Sequence, residues 1–204
     1  MKQCKKMNVR NMAMTGILAA ISAVLMMFSF SIPIMPSFIK MDFSELPALI
    51  AAYSMGPLSG VTVCLIKNLI NVTMTTTGGV GELSNFLLGC CFVLPAGILY
   101  RIKANRVYAL MGAMIGSATM AMMSLPINYY ITYPVYTAFL PLDKIIAMYQ
   151  AIFPGVDGLF QCLLIFNVPY TFVKGMLNTL LAFLIYKRIS PFIKGTHRAN
   201  VQKT

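Results

Sequence analysis

Residues 61–72 read VTVCLIKNLINV, an almost wholly apolar run with Lys67 set in its middle. A second run, VPYTFVKGMLNTLLAFLIY at 168–186, carries Lys174 in the same way. Such runs belong in lipid, where a spanning helix takes about 20 predominantly apolar residues. A charge at the centre of a spanning helix costs roughly 2.5–3.5 kcal/mol on insertion scales, so the two lysines need an explanation. The rest of the chain agrees with lipid. Of 204 residues, 58% are hydrophobic and only 10% are charged, with a mean hydropathy of +0.77. A soluble domain carries about 25% charge. The chain reads as an all-α integral membrane protein.

Working outward from the two runs, spans fall at 11–31, 45–56, 58–75, 83–101, 107–131 and 159–187. They make a six-transmembrane-helix bundle over 11–187, within a single membrane domain that has basic tails at 1–10 and 188–204. The second span is short, and Gly56-Pro57 forms the tight turn to the third. Within the long loop 132–158, LDKIIAMYQAIF reads as a short amphipathic helix at the membrane interface. The basic start followed by an apolar run imitates a signal peptide. However, no charge occurs between Arg10 and Lys40, which exceeds a 7–15-residue signal core, so an uncleaved first span is expected.

Six spans bring both termini to one side. Twelve of the 16 Lys and Arg residues fall there, while Lys40 and Lys144 fall opposite and Lys67 and Lys174 lie in the membrane. The positive-inside rule then places both termini in the cytoplasm. The net charge of +11 sits in three flanking clusters rather than along a groove, which speaks for topology and against nucleic acid.

An enzyme is not expected. The single histidine, His197, lies in the basic tail, so a Ser–His dyad or a His-held metal inside the membrane is unavailable. No G-x-x-x-x-G-K-[ST] loop exists to cradle ATP phosphates. The five cysteines show neither metal-ligand spacing nor a disulfide framework. No acid lies mid-span, where an ion-coupled carrier places its proton or sodium site. A binding subunit powered by other proteins fits what remains, with a standalone ion-coupled carrier as the alternative class.

Three spans carry polar stripes. Asn167, Thr171, Lys174 and Asn178 share one helical face, as do Lys67 and Asn71, and Ser117, Ser124 and Asn128. The bland alternative is that Asn and Ser bridge helices while each lysine is satisfied by carbonyls. Three converging stripes with two lysines favour a shared cavity. With no acid at their depth, the expected partners of the lysines are a ligand's acceptors. Removing either lysine should then weaken binding and leave folding intact. Two loops are placed to close the cavity: PSFIKMDFSELP (36–47), with charges and aromatics, and TTTGGVGEL (75–83), whose glycines permit a turn. The tyrosines of NYYITYPVY (128–136) fit an interfacial belt and equally a stacking surface for a flat ligand.

Small residues at Gly16/Ala20 and Ala19/Ala23 make two overlapping small-xxx-small pairs, expected on one side of the first helix. Gly112/Gly116 adds a third pair. Such pairs let another helix approach closely, whether inside the bundle or from a partner.

IKMDFSELPALI, GPLSGV, LIKNLI, TGGVGELSNF, PINYYI and the terminal VKG…IYKRISPF, taken in order over 11–192, resemble the riboflavin-specific S components of energy-coupling factor (ECF) transporters. The resemblance implies a six-helix subunit in a bacterial cell membrane that binds its vitamin from outside and needs no cofactor. It also implies assembly with a transmembrane coupling subunit and two ATP-binding cassette ATPases. Gly16, Ala19, Ala20 and Ala23 would face the coupling subunit. Asp42, Lys67, Glu82, Asn128 and Lys174 would join Asn71, Asn167 and Thr171 around riboflavin. Because riboflavin is uncharged, the lysines would act as donors rather than counter-ions. One departure stands out: the family often shows Asn-x-x-Lys on its sixth helix, whereas this chain has Thr171-Phe-Val-Lys174. A ring contact is then lost or supplied by Asn167. A sister S component for another flat vitamin or nucleobase is the nearest alternative.

Overall fold

The computed structural model describes residues 9–33, 35–36, 39–75, 78–138, 141–156 and 158–194, the last nine of them by backbone alone. Most of the basic tails, with His197 and Cys4, lies outside the described residues. Seven helices run through what is described. They are α1 (Val9–Met27), α2 (Glu45–Met55), α3 (Pro57–Val72), α4 (Val80–Ile102), α5 (Arg106–Tyr136), the short α6 (Leu142–Gln150) and α7, which begins at Leu159 and continues through Val168–Lys194. A small antiparallel ribbon, β1 (Phe30–Ser31) with β2 (Lys40–Met41), links α1 to α2. Four helices are long and apolar enough to cross a membrane: α1, α4, α5 and α7.

The second predicted span becomes something different. At 11 residues α2 is about 16 Å long, half the thickness of a hydrocarbon core. It is buried on every side from Glu45 to Tyr53, which explains why its apolar residues show no one-sided pattern. Gly56, at φ 109°, makes the reversal that an L side chain resists, and Pro57 opens α3 at a position where its missing N–H is harmless. Because α2 begins inside the bundle, its first-turn acid is carried inward with it.

Two helices widen at matching places. In α5 the N–H of Tyr133 reaches back five residues to Asn128 O, and in α7 that of Val168 reaches back to Leu163 O. These π turns, Asn128–Thr132 and Leu163–Asn167, each end two residues before a proline, Pro134 or Pro169. Proline lacks an N–H and its ring clashes with the carbonyl four residues back, so the preceding turn loosens.

Close backbone approach sets the packing of α4, α5 and α7. A Cβ on Gly112 would stand 2.9 Å from Ala96 O, and one on Gly116 would run into Phe92 O. The Gly112/Gly116 pair is therefore used inside the bundle, against α4. On α7, a Cβ at Gly175 would stand 2.7 Å from Ser117 Oγ of α5. A second, smaller apolar cluster ties α6 down: Ile145 and Tyr149 pack with Tyr133, Val156, Cys162 and Leu163. The amphipathic segment is thus a cap on its own bundle.

Candidate functional site

Where α1 ends and α4 begins, the bundle opens into a cavity of about 430 Å³, within the range of small-molecule sites. Seven of the eight expected ligand residues line it: Asp42, Asn71, Glu82, Asn128, Asn167, Thr171 and Lys174. The α7 stripe runs up its wall, with Asn178 one turn deeper. The two π turns bring Asn128, Thr132 and Asn167 to the same wall.

Lys67 does not reach the cavity. Its side chain is 0% exposed, and its Nζ donates to Glu45 Oε1 at 2.6 Å and to Ser44 Oγ at 2.7 Å. Lys174, at the cavity wall, donates to Asp42 Oδ2 at 2.7 Å. The expectation that no acid would lie at the depth of the lysines is therefore corrected. Asp42 and Glu45 precede and open a buried half-length helix, so both reach inside the bundle, and each lysine meets a carboxylate rather than waiting for a ligand.

The segment Asp42–Glu45 is a hub between three helices. Ser44 donates its N–H and hydroxyl to Asp42 Oδ1 at 3.0 and 2.5 Å. The Ser44 carbonyl accepts from Ser22 on α1, and Asn178 Nδ2 on α7 donates to Asp42 O at 3.4 Å. Burial alone would raise the Asp42 carboxyl. The Lys174 ammonium, with Lys67 beyond it and hydrogen bonds from Lys174 and Ser44, holds it down to about 2 instead. Two acids and two ammonium groups make the network neutral, so the cavity wall offers donors and acceptors without net charge from this hub. Such a wall suits an uncharged, polar ligand.

The remaining stripes divide. Ser117 and Ser124 turn back on their own helix, donating to Ala113 O and Ala121 O, so their hydroxyls neither line the cavity nor bridge to another helix. Glu82 accepts from Thr75 Oγ1 at 2.9 Å, bracing the turn in which Gly78 and Gly79 take φ of 65° and 88°. The tyrosines split as well: Tyr133 and Tyr136 line the cavity, whereas Tyr130 is 73% exposed. Lys40 reaches the cavity wall from the loop expected to close it, whereas sequence reasoning assigned no role to Asn85 and Tyr170 on that wall or to Glu45 behind it. Tyr170 stands three residues after Asn167 and four before Lys174, so it flanks the same stripe and helical spacing did carry a signal for it. Met26 and Met74 add polarizable apolar surface suited to a flat ring.

The small residues of α1 lie on two faces. Ala19 and Ala23 are buried in the chain's own core, while Gly16 and Ala20 are exposed, with nothing within 4 Å of a Cβ placed on Gly16. The single-sided stripe is corrected accordingly.

Residues 10–186 match the family described as "ECF transporter, substrate-specific component". The chain is 31% identical over 201 residues to the riboflavin transporter FmnP of Bacillus subtilis (strain 168), covering 96% of this chain and all of that one. It is 30% identical over 179 residues to the riboflavin transporter RibU of Staphylococcus aureus (strain TCH60), covering 88% and 89%. A solved structure described as the S component of a bacterial ECF transporter matches with a TM-score of 0.72 at 28% identity, over 91% of this chain and 98% of that one.

Proposed function

Because the chain belongs to the family of substrate-specific components of ECF transporters, we propose that the cavity beside Asp42 and Lys174 is its riboflavin capture site. The chain is a multi-pass bacterial membrane protein and not an enzyme. Its part is to take up riboflavin and hand it to an ATP-powered module. The observation that carries the assignment of the site is the convergence of seven ligand-type polar residues from five parts of the chain on one cavity. Isoalloxazine is flat and carries ring carbonyls, and the ribityl chain carries hydroxyls. Methionines and tyrosines meet the first need, and Asn71, Asn128, Asn167, Thr171 and Lys174 meet the second.

In this reading α1 to α5 and α7 are six spans, α2 and α3 being short ones joined at Gly56-Pro57. Both termini face the cytoplasm and the cavity opens outward. Lys67 supports the site from behind by pinning Glu45 and Ser44, while Lys174 shares its ammonium between Asp42 and the ligand. Gly16 and Ala20, the exposed small pair, form the face toward a transmembrane coupling subunit, which two ATPases drive. Mass spectrometry of small molecules released from the purified protein tests the ligand: riboflavin is expected. Another flat vitamin or nucleobase in its place would move the assignment to a sister S component.

A further inference from the structure

The cap helix α6 reaches the cavity wall through a buried relay. Tyr149, 0% exposed, donates its O–H to Asn167 Oδ1 at 2.9 Å, and its oxygen lies 2.5 Å from the hydroxyl of Tyr133. A phenol carries one proton, so with that of Tyr149 given to Asn167, Tyr133 is the donor in the tyrosine pair. The relay thus runs from Tyr133 through Tyr149 to Asn167. Tyr133 and Asn167 line the cavity; Tyr149 stands behind them.

An asparagine amide can turn over and exchange its acceptor and donor ends. Here the acceptor end is engaged by Tyr149 on a residue that is itself only 6% exposed, at the end of a π turn held by Pro169. The oxygen keeps a second lone pair, but its end of the amide is fixed toward Tyr149, and the nitrogen end is the donor that Asn167 can offer a ligand. We propose that Tyr149 is a positioning residue that fixes the Asn167 amide as a hydrogen-bond donor to a carbonyl or hydroxyl oxygen of the ligand. This rests on the riboflavin reading, since riboflavin supplies both kinds of oxygen and serves as the probe. The packing of Tyr149 against Phe166, with ring centroids 5.3 Å apart, does not use the hydroxyl, so the ring stays seated when the oxygen is removed.

Riboflavin affinity is measured for the parent, Tyr149→Phe, Asn167→Ala and the pair combined. Tyr149→Phe is expected to weaken binding about tenfold, the scale of one hydrogen bond. The double variant is expected to bind as Asn167→Ala does, within about twofold, because the proposed effect of the Tyr149 hydroxyl passes through Asn167 rather than through Tyr133. Losses that multiply would overturn the proposal, as would a Tyr149→Phe protein within about twofold of the parent. Asn167→Asp gives an independent check: it keeps an acceptor for Tyr149 but replaces the donor end by oxygen. A loss of about tenfold or more is expected, and affinity within about threefold of the parent would overturn the donor assignment. A parent that ignores riboflavin fails the ligand reading instead, and the same cycle is then run with the vitamin that co-purifies.

Discussion

Removing the Lys67 side chain takes away the ammonium 2.6 Å from a Glu45 carboxylate that is itself 0% exposed. Breaking one partner of a buried pair destabilises by about 3–5 kcal/mol, because the other charge stays buried. Lys67→Ala is therefore expected to lower thermal stability in detergent, and Lys67→Met with Glu45→Gln is expected to recover much of it. Lys174→Ala removes a group at the cavity wall, so it is expected to weaken riboflavin binding by about 1–3 kcal/mol. Lys67→Ala as stable as the parent would contradict the ion-pair account. The expectation that both variants fold undisturbed came from counting acids by their place in the sequence. Asp42 and Glu45 look superficial there because a span is assumed to start at the membrane surface. Their depth depends on how far the ribbon and α2 descend, which no local pattern encodes. The polar stripes on α7 and at Asn71 were legible, since i, i+4 and i+7 spacing fixes a helical face wherever the helix ends up.

Elements pack here through glycine. A Cβ at Gly175 would lie 2.7 Å from Ser117 Oγ, 2.9 Å from Ser117 Cβ and 3.2 Å from its Cα, so the clash reaches backbone and cannot be rotated away. Gly175→Ala is expected to destabilise by about 1–3 kcal/mol, the scale of overpacking. Ser117→Gly should recover part of that. Gly16→Ala, with open space around it, is expected to leave the thermal midpoint unchanged. Equal midpoints for Gly175→Ala and Gly16→Ala would contradict the α5–α7 contact. The helices themselves were readable from apolar run length, their starts within three residues, whereas α5 and α7 run five and seven residues past the expected ends. The half-length of α2 was partly visible in its 12-residue run, but its complete burial was not. The π turns carried a signal in Pro134 and Pro169, although a proline alone does not say whether a helix kinks, ends or widens.

For the whole molecule, the positive clusters and the cavity must agree on which side is which. A cysteine placed at 144 in a cysteine-free background is expected to label from outside the cell, since Lys144 is exposed on the cap helix. Labelling only from the cytoplasmic side would invert the bundle. In the proposed assembly, docking uses the exposed face of α1. Ala20→Trp fills the space that a close helix needs, while Ala19 and Ala23 face inward and leave the core as it is. Riboflavin affinity is expected to stay within about threefold, under ~0.7 kcal/mol. ATP-driven uptake should collapse in cells that carry the coupling subunit and ATPases. Affinity and uptake falling together would instead make this face part of the bundle's own packing.

The central claim, that this cavity captures riboflavin, is tested most directly by titrating riboflavin into the purified, ligand-stripped protein and following its fluorescence. Saturable quenching at nanomolar concentration is expected, which corresponds to about −12 kcal/mol, and it should weaken in Lys174→Ala. Fluorescence that stays unchanged up to micromolar protein, while another vitamin raises the thermal midpoint, would contradict it.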